Sequence, residues 1–162
     1  MTAVRRLNHA VLYVTDAERS AAFYRDLLGF EIVISFPGGA FLKAAGTPND
    51  HDLGLFSVGA DAARTRGRTV GLYHLAWQVD TIDELAEIRA ALLAAGALVG
   101  ESDHHVSKSL YAVDPDGIEF EVMWAVPHTA WDGKVGTDPL DLVAELSRWT
   151  SVGTVTEANI PV

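Results

Sequence analysis

The feature that most constrains this chain is an internal repeat. Leu7 to Thr15 reads L-N-H-A-V-L-Y-V-T, and 65 positions later Leu72 to Asp80 reads L-Y-H-L-A-W-Q-V-D. Both stretches are rich in β-branched and aromatic residues and lack a breaker, so both read as strands. A helical pattern follows each. In the first copy Thr15-Asp16 opens it, Ala21, Phe23, Tyr24, Leu27 and Leu28 recur at helical spacing, and Gly29 suits its end. In the second copy Ile82, Leu85, Ile88, Leu92 and Leu93 recur in the same way before Gly96. Three further strands then complete each copy. The first copy places them at Phe30–Phe36, Ala40–Ala45 and His51–Val58. The second places a short one near Leu98, then a hairpin from Ser109 to Trp124 across the turn D-P-D-G. Repeats of this kind bury a continuous core by pairing. The expectation is α+β: two βαβββ modules forming one curved mixed sheet, concave on one side, plus a C-terminal helical tail.

Boundaries follow from the repeat. Residues 1–126 are expected to form one domain, with module one at 5–58, a polar linker at 59–70 and module two at 71–126. Residues 127–162 form an extension with a short helix, for which Asp138 is the expected cap, Pro139 the first residue, and Leu142, Val143, Leu146 and Trp149 the apolar stripe. The chain has 162 residues, no cysteine, and a formal charge of −10 from 22 acids against 12 bases. Such a balance argues against a nucleic-acid surface or attraction to anionic membranes. The lack of cysteine excludes a disulfide scaffold, a thiolate metal site and a thiol nucleophile. No apolar run approaches the roughly 20 residues that span a bilayer, and the first residues lack a signal-peptide pattern. A cytoplasmic protein is expected, with small molecules or copies of itself as partners and homo-oligomers as its assembled form.

The hairpin carries a puzzle. Past its turn the period of two puts Ile118, Phe120, Val122 and Trp124 on one face and Glu119, Glu121 and Met123 on the other. A carboxylate amid an apolar strand is costly unless something satisfies it, so Glu121 requires a partner. The repeat supplies one. His9 and His74 occupy equivalent positions of the two first strands, and pseudo-twofold pairing of modules brings equivalent positions together. Two imidazoles and one carboxylate with open coordination positions suit a non-haem Fe(II) centre, and Zn, Mn, Ni or Co are alternatives. One histidine on an apolar strand is ordinarily a satisfied core residue; two at repeat-equivalent positions argue for a metal.

Four stretches, L-N-H-A-V-L-Y-V-T-D, Y-R-D-L-L-G-F, G-L-Y-H-L-A-W-Q-V-D and D-P-D-G-I-E-F-E-V, together resemble the vicinal oxygen chelate superfamily over about residues 5–126. Its members pair βαβββ modules around one metal, and the resemblance assigns His9, His74 and Glu121 as the metal ligands. Glyoxalase-type members take a fourth ligand from the fourth strand of module one. Here the equivalent residue is Gly54 or a neighbour, Leu53 or Leu55, none of which binds metal. Three ligands leave room for a catechol and dioxygen together, as in the type I extradiol ring-cleaving dioxygenases. H-D-L-G-L-F from His51 and D-H-H-V-S followed by Leu110-Tyr111 are similar to segments of that subfamily.

The resemblance therefore implies an extradiol dioxygenase that cleaves the ring of a catechol-type substrate with O2. Fe(II) is the expected metal, with Mn(II) or another divalent ion as the alternative. His51 would be the acid–base group, Tyr111 would hydrogen-bond the substrate, and His104 (or its neighbour His105) would support Tyr111. Two other readings belong to different classes. One is a metal-dependent isomerase, lyase or epimerase of glyoxalase type, which requires a fourth ligand near residues 51–55. The other is a non-catalytic drug-binding resistance protein, for which the three ligands would be surplus.

Overall fold

The computed structural model describes residues 2–64 and 70–149, so the middle of the linker, 65–69, and the end of the chain lie outside the described residues. Two compact units emerge, 1–70 and 71–162. The first contains β1 (Ala10–Val14), α1 (Ala17–Leu28), β2 (Glu31–Phe36), β3 (Gly39–Lys43) and β4 (Leu53–Ser57). The second contains β5 (Leu75–Val79), α2 (Ile82–Ala94), β6 (Leu98–Asp103), β7 (Ser107–Val113) and β8 (Glu119–Ala125), then a 3-10 turn and α3 (Leu142–Trp149). Each unit is βαβββ with its own four-stranded mixed sheet, ordered β1-β4-β3-β2 and β5-β8-β7-β6. The first strand of each runs parallel to the last, and the other neighbours are antiparallel.

The local chemistry is that of the sequence. Asp16 caps α1 by accepting from the backbone of Glu18 and Arg19 at 3.0 and 3.1 Å, and Gly29 ends it at φ 74°. Thr81 and Glu84 form a reciprocal capping box on α2. At the β7–β8 turn Asp114 is buried and accepts from the backbone of Asp116 and Ile118, while Gly117 takes φ 80°. Ile118 thus belongs to the turn, and β8 begins at Glu119.

The repeat extends to fine detail. A register irregularity falls between Ile32 and Ile34 in β2 and between Leu98 and Gly100 in β6, the same place in each copy. Cores correspond by compensation. Leu42 lies opposite Leu53 in the first sheet, where the second has Ala112 opposite Phe120; Ala40 opposite Leu55 corresponds to Leu110 opposite Val122. All eight are buried. Large and small residues trade places across the ladder so that pairs fill similar space.

Strands are shorter than the apolar pattern suggests. β1 starts at Ala10, β4 at Leu53 and β5 at Leu75, so His9, His51 and His74 all stand just before a strand. Asp52 explains one of these starts: it is buried, and its carboxylate accepts from the backbone of Ala44, from Thr47 and from Asn49. In the tail, α3 is capped by Asp141, which accepts from the backbone of Ala144, and not by Asp138. Asp138 is engaged elsewhere, in a backbone bridge with Asp103. Leu142 and Trp149 are buried, with the Trp149 ring edge-on to Trp124 at 5.4 Å, whereas Val143 is exposed. No helix among the described residues is long and apolar enough to cross a membrane.

Candidate metal centre

In the second unit His74 precedes β5, and β5 pairs with β8 so that Ala76 lies opposite Glu121. That register brings the His74 and Glu121 side chains together, with Nε2 to Oε2 at 3.1 Å. Glu121 is largely buried, with 12% of its side chain exposed, so His74 is the partner that its apolar strand demanded. Glu119, two residues earlier on the same face, stands 3.8 Å from Nδ1 of His74. That nitrogen is buried and accepts or donates no hydrogen bond. Glu119 therefore faces the same imidazole, a role for which its position on the Glu121 face was the available signal.

β7 adds two more groups. Tyr111 lies directly opposite Glu121 in the β7–β8 ladder, and its ring is 5.7 Å from that of His74. Burial, and behind it the negative charge of Glu121, pushes the Tyr111 phenol above its ordinary pKa, so it remains a proton donor. Its hydroxyl is 2.8 Å from Nε2 of His104. His105 turns away, its Nε2 3.5 Å from Asp138, on a backbone with φ 67°. Of the two adjacent histidines, His104 is the one that meets Tyr111.

In the first unit His9 and His51 come together, with ring centroids 4.6 Å apart. Neighbouring carbonyl and carboxylate groups orient both. Asn8 Oδ1 lies 2.9 Å from His9 Nδ1, and Asp50 Oδ2 lies 2.9 Å from His51 Nδ1. With Nδ1–H donated, Nε2 of each ring keeps a lone pair for a metal or a proton. Asn8 is held in turn by Asn49, whose side chain bonds both the Asn8 backbone and Asp52. This Asn8–Asn49–Asp52 support was not read from the sequence, although Asp52 carries the same signal as Glu121, a charge beside an apolar strand.

Register also identifies the first-unit counterparts of the second-unit groups. Val11 lies opposite Gly54 as Ala76 lies opposite Glu121, and Phe41 lies opposite Gly54 as Tyr111 lies opposite Glu121. Gly54 thus stands at the register position of Glu121 and carries no donor. A Cβ there would lie 3.2 Å from the Phe41 ring and 3.4 Å from Val11, so apolar side chains occupy the space.

The His74–Glu121 pair suits a divalent ion. Two ligands at right angles on an ion with bonds of about 2.1 Å lie about 3.0 Å apart, close to the observed His74–Glu121 separation. Among the described residues no three His, Cys, Asp or Glu side chains gather as a metal cluster. His74 and Glu121 belong to the second unit and His9 to the first.

With fold and geometry in place, comparison with known proteins supplies the class. The profile of the Glyoxalase/Bleomycin resistance protein/Dioxygenase superfamily matches residues 6–122. The chain belongs to this superfamily. It is 33% identical over 126 residues to the catechol-2,3-dioxygenase of Bacillus subtilis, covering 77% of this chain and 43% of that one. It is 31% identical over 137 residues to biphenyl-2,3-diol 1,2-dioxygenase 3 of Rhodococcus globerulus, covering 82% and 71%. The chain thus spans less than half of the first relative. Among solved structures, the lactoylglutathione lyase of Agrobacterium tumefaciens matches with a TM-score of 0.56 and 26% identity, over 76% of this chain and 96% of that one. A fosfomycin resistance protein from Listeria monocytogenes, 22% identical with a TM-score of 0.59, shares the fold.

Proposed function

We propose that this chain is a divalent-metal-dependent extradiol dioxygenase, opening the ring of a catechol-type substrate with O2, with Fe(II) held by His9, His74 and Glu121. The observation that carries the reading is the contrast between Glu121 and its register counterpart Gly54. One carboxylate paired with His74, and none at the equivalent position, favours a set of three ligands over a set of four. An ion held by three residues would leave room for a vicinal diol and dioxygen. The similarity to catechol and biphenyl-diol dioxygenases supports the same conclusion.

When bound, such an ion supplies Lewis acidity toward a vicinal diol and a redox path between an electron-rich ring and dioxygen. The rest is work for the chain's own side chains. His51, its Nδ1–H held by Asp50, presents Nε2 to take a proton from a substrate hydroxyl and later return it. Tyr111, kept protonated, donates its hydrogen bond to His104 and so turns the lone pairs of its phenol oxygen toward a hydroxyl of the bound diol. Phe41, 4.7 Å from the His51 ring, gives that base an apolar neighbour suited to an aromatic guest.

A glyoxalase-type lyase or isomerase is the second reading, favoured by one fact: the chain covers 96% of the lactoylglutathione lyase chain. Gly54 argues against it. Anaerobic loading with Fe(II), measurement of bound metal, then addition of a catechol panel and air decides between them. Oxygen uptake with a yellow ring-opened product is the expected result. Tightly bound metal with no turnover of any diol would overturn the dioxygenase reading.

A further inference from the structure

The C-terminal extension reaches the group that supports Tyr111. Asp103 and Asp138 exchange two backbone hydrogen bonds of 2.8 Å in an antiparallel bridge. In that register the residue before Asp138 lies beside the residue after Asp103, so Thr137 meets His104. Thr137 Oγ1 is 3.1 Å from His104 Nδ1, and Tyr111 Oη is 2.8 Å from Nε2 of the same ring. Both imidazole nitrogens are thus taken up by hydroxyls, one from β7 and one from the tail.

The bridge is anchored at several points. Asp103 accepts from the His105 backbone at 2.7 Å and from the Lys108 ammonium at 2.6 Å. Lys108, 3% exposed, also faces Glu145 of α3 at 3.5 Å. The His104 backbone is tied on both sides, donating to Ser107 and accepting from Val106 at 2.9 and 2.8 Å. With the backbone fixed, what remains free at His104 is the choice of tautomer and the ring's orientation.

We infer that Thr137 is a positioning residue for His104: it accepts the Nδ1–H, so that Nε2 is left to accept the Tyr111 hydroxyl. The assignment follows from relative acidity and distance. A phenol is a stronger donor than an imidazole N–H, and its 2.8 Å contact suits O–H to nitrogen. The 3.1 Å contact suits imidazole N–H to an aliphatic hydroxyl. In this arrangement the Tyr111 proton lies along the His104 direction, and the phenol oxygen keeps its lone pairs aimed elsewhere. The tail is then part of what orients Tyr111. This inference rests on the roles given above to Tyr111 and His104, but its physical content, one ring held in one tautomer by Thr137, does not require turnover.

The test uses full-length, metal-free protein with 15N-labelled histidine. Long-range 1H–15N correlations above the imidazole pKa, with His104 assigned by loss of its signals in His104→Gln, report the tautomer directly. Wild type and Thr137→Ser are expected to show His104 with the proton on Nδ1. Thr137→Val, of the same shape without the hydroxyl, is expected to show a mixture of the two tautomers. A Thr137→Val spectrum with the wild-type tautomer unchanged would overturn the proposal, as would a wild-type ring protonated on Nε2. In the Fe(II)-loaded protein kcat is expected to fall about three- to tenfold in Thr137→Val with KM unchanged, and Thr137→Ser to restore it. If the tautomer responds while no diol is turned over by wild type, the positioning role stands and the dioxygenase reading falls.

Discussion

The two units share one topology, one register and one irregularity in the second strand, yet diverge at the positions that carry chemistry. Where the second unit has Glu121 facing His74, the first has Gly54 filled over by Phe41 and Val11. Where the second has the polar Tyr111, the first has Phe41, part of an aromatic group with Phe36 and Phe56. The second unit also carries an attachment that the first lacks. At the register position of Lys108, whose ammonium ties β7 to Asp103 and to α3, the first unit has the turn residue Gly38. The two copies have kept their cores and diverged beside them: the second gathers His74, Glu121 and Tyr111, and the first gathers His9 and His51 next to the Phe41 ring. Core positions resist divergence because every substitution must conserve volume, whereas positions on the open face answer only to chemistry.

Substitutions at these divergent positions should differ widely in effect. Glu121→Ala should lower metal affinity by at least about 100-fold, as loss of an inner ligand exceeds the loss from outer partners, and reduce oxygen uptake to background. Metal analysis after dialysis and an oxygen electrode check it, and retained metal would remove Glu121 from the ligand set. Lys108→Met should destabilise the second unit by about 3 kcal/mol by leaving Asp103 and Glu145 without their buried cation, read from the denaturant midpoint. Acid should act at the same place. Burial raises the Asp103 pKa, but the Lys108 ammonium and the His105 backbone N–H outweigh it and hold the carboxyl below its ordinary value. Its contribution is therefore present at neutral pH and lost as pH falls below about 4. Trp fluorescence during acid titration should show a transition in that window that is absent in Lys108→Met.

Two smaller effects sharpen the contrast between halves. Tyr111→Phe should lower kcat about tenfold with metal retained, the value of one hydrogen bond accepted from a substrate hydroxyl. Phe41→Tyr, the reverse change at the counterpart position, should leave kcat within about twofold because the turn Pro37-Gly38 offers no counterpart of His104 to orient a phenol. Equal losses from both would mean that the units are functionally symmetric. Gly54→Ala should cost about 1 kcal/mol, since its Cβ requires Phe41 to give by a few tenths of an ångström. Thermal unfolding measures it, and a stabilised variant would show that the space is open.

What the sequence determined by itself was whatever depends on neighbours in the chain. Periodicities of two and 3.6 gave the βαβββ order twice, Asp16, Gly29 and Gly96 marked helix ends, and the repeat made His9 and His74 stand out. A buried carboxylate demands a partner on energetic grounds alone, so Glu121 was legible before any partner was known. Boundaries were less so: histidines placed inside strands stand just before them, because strand starts depend on where a distant partner such as Asp52 leads the ladder. The tail was misread in one detail, Asp138 serving a backbone bridge and Asp141 the cap, since a capping sequence cannot reveal that a strand 35 residues away claims one candidate first. Tertiary structure alone decided that His104 and not His105 meets Tyr111, that Glu119 also faces His74, and that Thr137 stands behind them. Adjacent residues have nearly the same local pattern, and only cross-strand register and backbone dihedrals set where each side chain points.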